Sequence, residues 1–139
     1  MSITASGLAL VSAGGAIGSA ARYALATQTT QWAQLILPTT RFPWGTWLVN
    51  LLGCCIIGVM AGLALRHAWL SANLRLLLFT GLMGGFTTFS AFGLETVELA
   101  MRQHWRVAIA YVLSSVLLGL LATAAGFWLG AGAAALGPR

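Results

Sequence analysis

The sequence predicts an all-α integral membrane fold of four transmembrane helices, the third broken near residues 84–88, in a single domain covering residues 1–139. Three observations predict it. Of the 139 residues, 59% are apolar and only 6% are charged, with a mean hydropathy of +0.89, whereas about a quarter of the residues in a soluble domain are charged. Four apolar stretches, residues 5–26, 46–65, 74–101 and 107–129, each come near the ~20 residues that cross a hydrocarbon core. Within the third, Gly84 and Gly85 are followed by Thr87, Thr88 and Ser90, which lowers helix propensity and offers the backbone side-chain hydrogen bonds in place of helical ones.

The first stretch carries Gly14, Gly15 and Gly18. Small residues at i and i+4 let two helix backbones approach closely in lipid. Ala24, Leu25 and Ala26 have the look of a signal-peptidase site, but no basic segment precedes the apolar run, so this stretch reads as a retained helix. Arg22 is expected near its end, snorkelling toward water. The longest connection follows, around residues 28–44. Trp32, Trp44, Trp47 and Trp105 are expected at one interface, and Trp69 and Trp128 at the other.

The second stretch holds Thr46 and Asn50 one turn apart on one face. An interhelical hydrogen bond is the ordinary role of an Asn amide here, worth ~0.6–2 kcal/mol. Cys54 and Cys55 are adjacent inside the span, where they read as small packing residues rather than a disulfide framework.

The third stretch is where function is expected. Non-helical backbone at membrane depth survives only where protein buries it or a polar cavity lies beside it. Close glycine packing alone would explain Gly84 and Gly85. It would not explain Phe89 and Phe92, three residues apart on one face just past the break, beside hydroxyls. Aromatic ring edges carry partial positive charge, so such a surface suits a small dehydrated anion. Glu95 lies three residues past Phe92, and Glu98 reads as an interfacial charge. In the fourth stretch Tyr111 and Ser115 stack four apart, with Ser114 beside them.

The net charge of +5 comes from seven arginines against Glu95 and Glu98. Most arginines fall near predicted helix ends, which suits lipid headgroups; no nucleic-acid-binding pattern is present. Arg22, Arg41, Arg102 and Arg106 fall on one side, and Arg66, Arg75 and Arg139 on the other. So even a split gives the positive-inside rule little to act on, and insertion both ways would open an antiparallel two-fold dimer. Stretches one, two and four contain no carboxylate or His cluster, which argues against metal catalysis, a proton relay and hydrolysis. A dual-topology drug/proton antiporter would need an acidic residue in the first helix, and a mere packing subunit leaves Asn50, Phe89 and Phe92 unexplained.

The blocks Gly14, Gly15, Gly18 with Arg22 and Tyr23; Gly45, Thr46, Val49, Asn50 and Gly53; and residues 84–92 resemble those of the fluoride channel family, Fluc, also called CrcB. The likeness spans all four helices. It implies a passive, non-enzymatic channel in the cell inner (plasma) membrane, built as a dual-topology antiparallel homodimer with two pores that export fluoride. It also implies a structural sodium ion at the dimer centre. Asn50, Phe89 and Phe92 resemble the family's pore residues, and Tyr111 and Ser115 the start of its polar track; Thr46, Thr88 and Glu95 join them by weaker likeness. Gly84 and Thr87 match the residues whose backbone carbonyls hold the sodium. One turn beyond Ser115, where the family can place another hydroxyl, this chain has Gly119.

Overall fold

The computed structural model describes residues 3–66 and 70–132. It contains four helices long and apolar enough to cross a membrane: Ala5–Ile36, Trp44–Arg66, Ala72–Met101 and Trp105–Ala131. We number the elements α1 (Ala5–Ile36), α2 (Trp44–Arg66), α3 (Ala72–Arg75), a π-helical stretch (Leu76–Met83), α4 (Gly84–Phe86), α5 (Phe89–Met101) and α6 (Trp105–Ala131). Trp69 and Arg139, part of the expected interface and charge pattern, lie outside the described residues.

Helix α1 is longer than the sequence suggested. Thr4 caps it, its hydroxyl accepting from the Gly7 N–H at 3.1 Å, and it runs to Ile36, just before Leu37 and Pro38. A residue preceding proline is pushed out of the helical region. The Gln- and Thr-rich segment after residue 26 marks departure from the apolar core, not the end of the helix. At 1.5 Å per residue α1 is about 48 Å long, well beyond a hydrocarbon core of about 30 Å. Arg22 accordingly sits half-buried within the helix rather than near its end.

The expected glycine seam is present. A Cβ at Gly14 would collide with the Leu77 carbonyl oxygen, and one at Gly18 with that of Leu82. Side chains there would push α1 off the third span. A second seam escaped the sequence reading: Gly58 and Gly62 of α2 meet Gly126 and Gly130 of α6, each with the facing helix's backbone where a Cβ would go. Backbones this close gain dispersion where lipid leaves little hydrophobic drive.

The third span departs from a plain helix twice. Nothing in the residue pattern marked the π-helical stretch Leu76–Met83, whose Gly81 lies against Gly14 of α1. The break itself is narrower than residues 84–88: Gly84 keeps helical dihedrals, and only Thr87 (φ −85°, ψ 156°) and Thr88 (φ −147°, ψ 113°) are extended. Two glycines sufficed to weaken the helix, but hydroxyl and amide partners decided where it opened.

Two buried clusters flank the break. Val49, Met83 and Phe86 form one. Leu99, Ala108 and Tyr111 form the other, with Phe42, Trp47 and Phe92 packed against it.

Candidate functional site: a clamped helix break beside an aromatic groove

Asn50 holds the break open. Its Nδ2 donates to the Thr88 carbonyl at 3.0 Å, and its Oδ1 accepts from the Thr88 N–H at 2.8 Å. One amide side chain thereby replaces both helical bonds of one residue, as backbone in a water-poor setting requires. Thr88 then caps α5, its hydroxyl accepting from the Ala91 N–H at 3.2 Å. The Thr87 hydroxyl turns back to the Met83 carbonyl at 2.9 Å.

These diversions bear on the two residues expected to hold sodium. In an unbroken helix the N–H of Thr88 would bond to the carbonyl of Gly84, and that of Ala91 to the carbonyl of Thr87. Here the first donates to Asn50 and the second to the Thr88 hydroxyl. The carbonyls of Gly84 and Thr87 thereby lose their helical donors, as do those of Gly85 and Phe86 across the same extended pair, and Gly84 is exposed at the surface of the single chain. Uncharged backbone oxygens of this kind fit a hard monovalent cation better than calcium, whose sites recruit carboxylates.

Beyond the break lies a groove of about 350 Å³, whose lining includes Asn50, Thr88, Phe89, Phe92, Ser115 and Cys54. The Phe89 and Phe92 rings lie 5.5 Å apart at 45°. Phe89 is 83% exposed although it belongs to the groove, so a single chain covers only one side of it. Among the described residues, the Ser115 Oγ is buried without a hydrogen-bond partner.

Thr46, Glu95 and Tyr111 meet in a second group. The Thr46 hydroxyl donates to Glu95 Oε1 and the Tyr111 hydroxyl to Glu95 Oε2, both at 2.6 Å. Phe92 joins the two groups, its ring 5.1 Å from that of Tyr111. The expected ladder of donors is therefore split. Asn50, Thr88, Phe89, Phe92 and Ser115 share the groove, whereas Thr46 and Tyr111 are engaged by the carboxylate.

Sequence reasoning missed three partners. Trp47, expected at the interface, turns its Nε1 inward to the Ser114 hydroxyl at 3.1 Å. Phe42, from the first connection, stacks edge-on against Tyr111 with centroids 5.3 Å apart. Cys54, read as packing, lines the groove. A lone aromatic or thiol offers no spacing signal, so only the fold could bring these in.

Comparison with known proteins adds an independent line. A protein named fluoride-specific ion channel FluC from Methylobacillus flagellatus is 48% identical over 121 residues, covering 87% of this chain and 88% of its own. A FluC from Rhizobium johnstonii is 49% identical over 117 residues (84% and 90%), and one from Chloroflexus aurantiacus 42% identical over 120 residues (86% and 91%). A family model described as "CrcB-like protein, Camphor Resistance (CrcB)" matches residues 9–127, from the glycine seam of α1 through the break and into the last turns of α6, and the chain belongs to that family.

Proposed function

We propose that this chain is a fluoride-specific ion channel, a passive transporter and not an enzyme, that lets fluoride leave the cell across the plasma membrane. The observation that carries the reading is the groove, where the exposed Phe89 ring, the half-buried Phe92 ring and the partnerless Ser115 hydroxyl lie beside a backbone break clamped by Asn50. Fluoride is small and strongly hydrated, so a pore must replace its water with converging donors. Ring edges, a hydroxyl and the second N–H of the Asn50 amide do so without a fixed cation that would hold the ion too long. Hydrogen fluoride enters cells uncharged and ionises inside, so a negative-inside membrane drives the anion out with no other energy source.

The working unit in this reading is a dual-topology antiparallel homodimer of one four-helix domain, residues 1–139, with two pores. The exposure of Phe89 supports it, since a second copy would cover the open side of the groove. The nearly even arginine split supports insertion in both orientations. A structural sodium ion would be held by the Gly84 and Thr87 carbonyls of both chains, tying two breaks together and raising the potential felt by a passing anion. Asn50, Phe89, Phe92, Thr88 and Ser115 are the groove-side pore residues; Thr46, Tyr111 and Glu95 flank them.

Proteoliposomes loaded with fluoride and chloride and followed with ion-selective electrodes test the reading. Fluoride should leave on addition of a potassium ionophore while chloride stays. Equal chloride efflux, or no efflux from folded protein, overturns it.

A further inference from the structure

On α6, Tyr111, Ser115 and Gly119 follow one another a turn apart, and of the three Ser115 lines the groove, so one turn past its partnerless hydroxyl the helix offers no side chain at all. The gap is not empty of chemistry. A Cβ built at Gly119 would lie 3.5 Å from the Cys54 Sγ of α2, and Cys54 lines the same groove as Asn50, Phe89, Phe92 and Ser115. The thiol therefore borders the place that a side chain at position 119 would fill. A free thiol is a weak, uncharged donor on a polarisable sulfur, and Cys54 is one of two free, half-buried cysteines.

We infer that Cys54 is a pore-lining residue and carries the anion path past Ser115, supplying from α2 the donor that α6 lacks at Gly119. The inference rests on the channel reading and adds to it a residue and a direction. From Ser115 the path moves toward α2 instead of continuing up α6. It also explains why the buried Ser115 hydroxyl is left without a protein partner: its place is beside the ion, one step before the thiol. Neighbouring Cys55 belongs to the helix seam, its carbonyl set against Gly126, and serves as the internal control.

The test uses the full-length protein in liposomes with 2-aminoethyl methanethiosulfonate. The Cys54 thiolate attacks the sulfenyl sulfur, a mixed disulfide forms and methanesulfinate leaves. The added arm occupies groove volume beside Ser115, so fluoride efflux should fall about tenfold or more. Dithiothreitol should restore it. Cys55→Ala should keep this sensitivity, and Cys54→Ala should lose it whatever its own efflux rate. Mass spectrometry should find the label on Cys54.

Full labelling of Cys54 with unchanged efflux overturns the inference. So does failure to label Cys54 at a reagent excess that labels the denatured chain. Cys54→Leu offers a route without a reagent: efflux should fall about tenfold in protein that still elutes as wild type, and wild-type efflux from it would place the side chain off the path. If unmodified wild-type protein carries no fluoride, the channel reading fails by itself. The labelling pattern then still reports whether Cys54 borders the groove.

Discussion

Replacing Asn50 by Ala removes both bonds of the Thr88 clamp, at 3.0 and 2.8 Å, in one step. Two scales bear on the cost. Interhelical polar contacts in membrane proteins average about 0.6 kcal/mol, because in the lipid-embedded unfolded state the groups find other partners. A buried backbone group left with no partner costs about 1–3 kcal/mol on top of a net bond worth about 1 kcal/mol. The second scale applies here, because Thr88 is extended and Asn50 supplies the partner for both its N–H and its carbonyl. Water entering the groove recovers part of the loss. The expected destabilisation is about 3 kcal/mol, roughly a hundredfold in the folded-to-unfolded ratio. Unfolding titrated with dodecyl sulfate and followed by circular dichroism reads stability, and fluoride efflux reads function. Asn50→Asp separates the two. It keeps an acceptor for the Thr88 N–H, but it sets a carboxylate oxygen against the Thr88 carbonyl and puts a negative charge in the groove. Efflux should therefore fall more than stability does. An Asn50→Ala protein with wild-type stability and wild-type efflux would refute the clamp as the device that holds the break.

Three further outcomes are expected. Phe89→Ile and Phe92→Ile keep apolar bulk but lose the electropositive ring edge, so each should cut fluoride efflux about tenfold or more with the fold intact by circular dichroism; wild-type rates from both would make the rings packing only. Gly84→Val should leave the single chain unstrained, since the nearest atom to a Cβ there is the Phe79 oxygen at 4.0 Å, yet abolish dimers in cross-linking and size-exclusion runs; undisturbed dimers would remove Gly84 from the interface. Ala72→Lys with Asn73→Lys, both at exposed positions in the first turn of α3, next to the second connection, should lock one orientation and silence efflux, with recovery on co-expression with a Leu37→Lys, Thr39→Lys partner; full activity of one locked variant alone would sink the antiparallel dimer.

Much of this architecture was legible because lipid simplifies the rules. Backbone groups must be satisfied within the chain, so apolar runs become helices and an interruption has to be explained. That is why the break and the Gly14 and Gly18 seam could be read from spacing. The end of α1 could not, because a helix leaving the hydrocarbon turns polar without unwinding, and Pro38 stops it instead. The π-helical stretch depends on how neighbouring helices seat against it. Glu95 was recognisable as close to the break, but its two hydroxyl partners come from two other helices, and no periodicity within one helix reports such a meeting. Cys54 was invisible for the converse reason: its surroundings, not its identity, make it part of the groove.

The Glu95 group poses a question that the geometry itself answers. A carboxylate beside an anion path repels the ion, yet both Glu95 oxygens are held by hydroxyls at 2.6 Å, and bonds that short to a charged acceptor are strong. Thr46 and Tyr111 therefore spend their protons on Glu95, and fluoride cannot use them while the carboxylate stays. A small anion and a carboxylate oxygen ask for the same donors, so the two compete for one pair of hydroxyls. Phe92 sits at the junction, against Tyr111 on one side and Phe89 on the other. With both hydroxyls donating to it, the Glu95 side chain ties α2 and α6 to α5 and fixes the orientation of these two donors.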